Sequence, residues 1–308
     1  MPDTFFTSSP HWGVFVLLYF FVGGIAGGSL FLAGLLHLFG APADRPTVRT
    51  GQYVALAGAG LSGLLLTFDL TKPFRFWHML IESNTGAPMF KPWSPMSVGA
   101  WTLLGFGVVS LLACLGALGE ARPGRWGRFA GLARGAPGAV IAVAGAALGL
   151  FFAGYTGVLL SVTNRPIWAD STWLGVLFLL SGISAATATL FLLGRRTRER
   201  QATGEWLMGL DRRILALELF VLAGFLGSLG RVAESWIGWS GALLVVGVAG
   251  AGILAPLLLD RPAQGSDPVS RRSPAAAGLV LLGSFLLRLL VLASSAGIQA
   301  NASGVAGR

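Results

Sequence analysis

Along the chain, apolar stretches alternate with short segments in which arginine, proline and glycine gather. Crossing the hydrocarbon core of a bilayer as a helix takes roughly 20 apolar residues. Eight stretches meet that length: 13–39, 52–70, 96–118, 137–162, 173–193, 213–230, 239–259 and 275–297. The sixth is the shortest and holds Glu218 between Arg213 and Arg231. The pattern predicts an all-α integral membrane protein with eight transmembrane helices.

The polar segments orient these helices. Fifteen arginines, among them Arg45, Arg49, Arg122, Arg134, Arg195, Arg212, Arg213 and Arg261, follow helices 1, 3, 5 and 7. The other side carries only Lys72, Arg75, Lys91, Arg165, Arg231 and Arg308. Lys and Arg accumulate on the cytoplasmic side, so the N- and C-termini are both expected on the extracytoplasmic side. Tryptophan is skewed the opposite way. Trp12, Trp77, Trp93, Trp101, Trp168, Trp173, Trp236 and Trp239 fall at outer helix ends, and only Trp126 and Trp206 at inner ones. An interfacial aromatic belt normally decorates both faces. A one-sided set also suits an outer surface that docks another protein.

Composition supports a lipid environment. Of the 308 residues 54% are hydrophobic and 11% are charged, with mean hydropathy +0.72, against about 25% charged in soluble domains. The net charge of +9 sits in inter-helix loops, where it sets topology, so no nucleic-acid partner is expected. The single cysteine, Cys114, excludes a disulfide framework, a zinc site and an iron–sulfur cluster held by this chain. The N-terminus carries Asp3 and no Lys or Arg before the first apolar run, so no cleavable signal peptide is expected.

Helix 1 contains Gly24-Ile25-Ala26-Gly27-Gly28-Ser29, and helix 5 contains Gly182-Ile183-Ser184-Ala185-Ala186-Thr187. Small residue answers small residue, and both helices enter from outside in the same direction. One reading is a parallel repeat, giving two four-helix bundles over residues 1–163 and 164–308. The other is that two close-packing faces resemble each other.

Ionisable groups at membrane depth are costly and mark candidate sites. Asp69 closes helix 2 just before Lys72 and Arg75. It can bridge to either, or exchange protons with a ligand at the membrane edge. Tyr155, in Gly154-Tyr155-Thr156-Gly157 late in helix 4, can hydrogen-bond a quinone carbonyl or anchor the interface. Glu218 and Arg288 are the charges well inside the second half, readable as a structural ion pair or as a candidate proton route. Histidine is scarce: His37 lies at the inner end of helix 1, and His11 and His78 lie outside. No pair faces across the bundle, so no haem is expected. A chain without redox centres does not conduct electrons across the membrane by itself.

Loop 71–95 joins an aromatic first part, Pro73 through Ile81, to a return through Phe90-Lys91-Pro92-Trp93-Ser94-Pro95-Met96. Its first part is expected to form a short amphipathic interfacial helix. Arg75, Trp77, His78, Lys91 and Trp93 are the candidate partner-docking residues.

The chain resembles the NrfD/PsrC family of polysulfide reductase-type membrane subunits. The resemblance is carried by Tyr19 through Gly28, Asp69 through Trp77, Ser94 through Trp101 and Tyr155 through Ser161. It continues in Pro166-Ile167-Trp168, Gly252 through Leu257 and Phe285 through Arg288. It implies a quinone site (menaquinone or ubiquinone) at the outer end of the first bundle, with Tyr155 and Asp69 catalytic and Tyr19 and His11 adding to binding. It also implies an extracytoplasmic ferredoxin-like subunit with 4Fe–4S clusters, a molybdopterin catalytic subunit, and a bacterial or archaeal cytoplasmic membrane. The wall on helix 1 departs from the family, offering mainly Tyr19, with His11 nearer the surface.

These readings converge on the membrane subunit of a respiratory-type oxidoreductase complex that oxidises quinol or reduces quinone and exchanges electrons with a docked iron–sulfur subunit. The rivals are a proton-translocating module, an inert anchor with a decayed quinone site, and a repeat-type transporter.

Overall fold

The computed structural model describes residues 12–122, 124–163, 165–194, 201–259 and 273–305. Eight long helices follow one another: α1 (Val14–Phe39), α2 (Arg45–Asp69), α3 (Pro95–Ala121), α4 (Gly135–Ser161), α5 (Trp173–Gly194), α6 (Gln201–Ser228), α7 (Trp239–Leu259) and α8 (Pro274–Val305). All but α6 are long and apolar enough to cross a membrane, making seven candidate spans. His11 lies outside the described residues, as do Arg195 and Arg261.

Two helices start earlier than their apolar runs. Arg45 and Arg49 belong to α2 because they turn onto Glu120 of α3, at 3.2 and 3.5 Å, where Arg134 joins them at 3.4 Å. Helix α6 begins at Gln201, so Glu205, Asp211, Arg212 and Arg213 are helical rather than loop residues. These charges remove α6 from the apolar set. Helix α7 widens into a π-helix over Leu244–Leu254 just before Pro256. Proline has no N–H to donate, and its ring crowds the carbonyl four residues back.

Helix α1 is the hub, packing on α2, α4 and α5. Glycine makes each approach close. A Cβ at Gly27 would stand 2.6 Å from the Gly149 carbonyl oxygen of α4, and one at Gly58 of α2 would stand 2.5 Å from the Ala26 Cβ. Such contacts, rather than a hydrophobic driving force, hold helices together in lipid. Around α1 the chain forms two rings: α1–α2–α3–α4, and α5–α6–α7–α8, each helix touching its ring neighbours. The rings meet where α1 crosses α5. There Gly24 packs on Gly182, and Gly28 on Ala186. The two similar motifs therefore lie against each other in the register of their sequence match.

Candidate functional site at one end of the first ring

The α4 tyrosine is fixed by α3. Tyr155 is 5% exposed, and its hydroxyl donates to the Pro95 carbonyl at 2.6 Å. Pro95 opens α3, where a missing N–H costs nothing, and Ser94 caps the helix by accepting from the Ser97 N–H at 3.4 Å. Space for the phenol comes from Gly99, where any Cβ would collide with the Tyr155 oxygen. The ring stacks on Phe151 with centroids 5.9 Å apart.

Tyr19 of α1 comes from the other side. It is 3% exposed, and its ring lies 6.2 Å from Phe152 of α4, three residues before Tyr155. Asp69 is exposed at the last residue of α2. It forms no ion pair with Lys72 or Arg75 among the described residues. The structure thus buries Tyr19 and Tyr155 against adjacent aromatic residues of α4 and leaves Asp69 exposed.

The 71–95 loop folds back onto the start of α3. Its first part forms a short helix, of 3-10 type, over Pro73–Met79. Pro73 sets its start, and the chain leaves it for a single bridge between Ile81 and Pro88. Gly86 turns this hairpin at φ +68°, a conformation glycine adopts without a Cβ penalty. The return is tied to α3 by Trp101 Nε1 and Ser97 Oγ, which both donate to the Met89 carbonyl, at 3.0 and 3.3 Å. Trp77 packs edge-on against His78 at 3.9 Å, and His78 Nδ1 pairs with Ser83 Oγ at 3.0 Å. Arg75, Lys91, Phe74 and Trp93 are exposed, the last two at 93% and 79%.

Trp168 does not belong to an aromatic belt. It is 1% exposed, stacks on Trp12 at 5.3 Å, and donates its Nε1–H to the Val291 carbonyl at 2.7 Å. The preceding Ile167 holds φ +72° while fully buried. That conformation costs a β-branched residue about 1–3 kcal/mol. Its N–H donates to Asp170 Oδ2 at 2.8 Å.

Deeper, Glu218 and Arg288 are 4% and 0% exposed and form no direct ion pair among the described residues. Ser181 accepts from Arg288 Nη1 at 3.3 Å and donates to Ser284 Oγ at 3.0 Å. The guanidinium instead spends its donors on carbonyls and hydroxyls. Sequence reasoning missed Asp211, which accepts from Ser184 Oγ at 2.8 Å and is 1% exposed. Its serine partner, three residues from Ser181 on the same face of α5, was the available signal. A separate cleft in the first ring lies at its opposite end, lined by His37, Gln52, Ala113, Ala133 and Gly145.

Fold and site together define a multi-pass helical membrane protein with two buried tyrosines at one end of a four-helix ring. The family model described as "Polysulphide reductase, NrfD" matches residues 3–299, and the chain belongs to that family. The C subunit of polysulfide reductase from Wolinella succinogenes is 30% identical over 273 residues, covering 81% of this chain and 82% of the relative. Protein NrfD of Escherichia coli K12 is 27% identical over 315 residues, covering 94% and 96%.

Proposed function

We propose that this chain is the quinone-reactive membrane subunit of an oxidoreductase complex, with its quinone site at the outer end of the first ring. The observation that carries this reading is the buried Tyr155, bonded to Pro95 at the end of the 71–95 loop, with Tyr19 buried against Phe152 of the same helix. The family and the polysulfide reductase relative supply the chemical context. With its proton given to Pro95, the Tyr155 oxygen accepts a hydrogen bond from a quinol hydroxyl. To hold a quinone carbonyl it turns its proton away from Pro95. Asp69 on the rim exchanges protons between the ligand and outer water. The exposed Arg75, Trp77, Lys91 and Trp93, with His78, face a ferredoxin-like subunit whose 4Fe–4S cluster takes or gives the electrons. A molybdopterin subunit completes the complex, in the cytoplasmic membrane of a bacterium or archaeon.

In this reading α6 is the eighth crossing, the two rings are repeats of one four-helix unit, and both termini lie outside. Helix α6 runs antiparallel along α5, with Ser228 Oγ meeting Ser171 Oγ at 2.6 Å near one end and Asp211 meeting Ser184 midway. Asp69→Asn is expected to lower quinol-coupled turnover at least tenfold in the assembled complex while artificial-dye activity of the partner subunits persists. Unchanged quinol turnover would remove Asp69 from the mechanism.

A second reading is favoured by the buried polar seam between the rings. Asp211–Ser184 and Ser181–Arg288, with the buried Glu218, form a stripe along α5 and α6. Arg288 Nε donates to the Phe20 carbonyl at 3.0 Å, beside Tyr19. Such a stripe carries protons toward the two tyrosines from the opposite side of the membrane.

A further inference from the structure

The outward face of α6 is not built for lipid. Ser184, the partner of Asp211, stands at the midpoint of the Trp173–Gly194 helix. Asp211 and its neighbours Arg212 and Arg213 therefore sit at mid-height of the helical slab. Asp211 points inward and is buried, whereas Arg212 and Arg213 are exposed. Neither arginine makes a hydrogen bond or an ion pair among the described residues. An arginine near a helix end can snorkel to the headgroups, but one at mid-height is about 15 Å from either boundary. No other described membrane-spanning helix exposes a charge at this level; Arg288 of α8 is buried.

The same face carries a seam. Trp206, Gly209, Arg213, Ala216, Phe220, Ala223 and Gly227 are all exposed and recur with the alternating three- and four-residue spacing of a coiled-coil interface. The exposed face of α4 differs, presenting Val140, Val143, Leu150, Phe151 and Val158, as lipid requires. On α6 the small residues lower the surface so that another backbone can approach closely, and the arginines add charge at mid-height.

We propose that α6 is a docking face for a transmembrane helix of a different subunit, one that carries an aspartate or glutamate at mid-membrane. Charge selects this occupant. A second copy of the same chain, related by a two-fold axis along the membrane normal, would bring Arg212 and Arg213 against their own copies at equal depth. A carboxylate on the partner pairs with the arginines and is in turn compensated by them. The interface is distinct from the 71–95 loop, which meets an extramembranous partner.

The proposal rests on α6 being a crossing helix and is independent of the quinone reading. The test places a benzophenone amino acid at Ala216 in the full complex in native membranes, with Val140 as the lipid-facing control. The expected result is an adduct at Ala216 to a transmembrane segment of another subunit, with an Asp or Glu within one turn of the attachment point. The variant R212Q/R213Q, which keeps the fold of this chain, is expected to lower that adduct at least tenfold. Adducts to lipid alone, to a second copy of this chain, or none at all would overturn the proposal. Labelling of Ala216→Cys by a membrane-impermeant maleimide would overturn the crossing of α6 itself, a failure separable from the absence of a partner.

Discussion

Gly27→Val is expected to leave no stably folded protein on extraction into detergent. A Cβ at this position would stand 2.6 Å from the Gly149 oxygen and 2.8 Å from the Ala153 nitrogen. Both are backbone atoms of α4, so no side chain can turn aside to relieve the clash. The contact is mutual, because a Cβ at Gly149 would meet the Gly27 oxygen at 2.5 Å. Overpacking costs about 1–3 kcal/mol where side chains adjust, and more is expected where two helices must separate. Because α1 also packs on α2 and α5, moving it disturbs both rings. Gly60→Val is the matched control, since a Cβ at Gly60 has nothing within 4 Å. Thermal unfolding followed by size-exclusion chromatography should show the control near wild type and Gly27→Val aggregated. Equal melting of the two variants would contradict the packing described for α1.

Arg288→Met is expected to be the most damaging change in the second ring, at about 3–5 kcal/mol. The guanidinium joins three helices. Nε donates to Phe20 of α1, Nη2 to Phe178 of α5 at 3.3 Å, and Nη1 to Ser284 Oγ and O of its own helix at 2.6 and 2.9 Å. It also lies over the Phe178 ring at 5.1 Å. Gly24 makes room for it, since a Cβ there would stand 2.6 Å from Nη2. Methionine fills part of the volume but loses the bonds that tie α8 to α1 and α5, and it removes the positive charge from beside the other buried polar groups. Lysine restores the charge yet cannot reach α1 and α5 at once. The double variant E218M/R288M should recover part of the loss, because it removes the uncompensated carboxyl group; a double-mutant cycle on melting temperature reads this directly. Strict additivity would show that Glu218 and Arg288 are not coupled. Glu218→Gln keeps the shape of the seam, and its effect on charge moved per electron in proteoliposomes separates a proton route from a structural cluster.

How much of this was legible in the sequence differs by element. Seven spans were readable because an apolar run of sufficient length has one stable state in lipid. The early starts of α2 and α6 were not, because hydropathy registers a charge and not the face it occupies. Arg45 and Arg49 are helical through Glu120, a residue far along the chain. Asp211 is tolerated because Ser184 of α5 faces it. Tyr155 was visible as a tyrosine among small residues, but not the Pro95 carbonyl that holds it, which depends on how α3 and α4 pack. Trp168 looks interfacial from its loop position. Only the fold shows it buried between Trp12 and α8.

If quinone binds beside Tyr155 and Tyr19, a photoreactive quinone reaches both of the helices that carry them. Photolabelling of the intact complex with an azidoquinone tests it most directly. Label is expected on the peptides of α1 and α4 that carry Tyr19 and Tyr155, competed away by unlabelled quinone. Label at the cleft around His37 and Gln52, or confined to the second ring, would contradict this binding site.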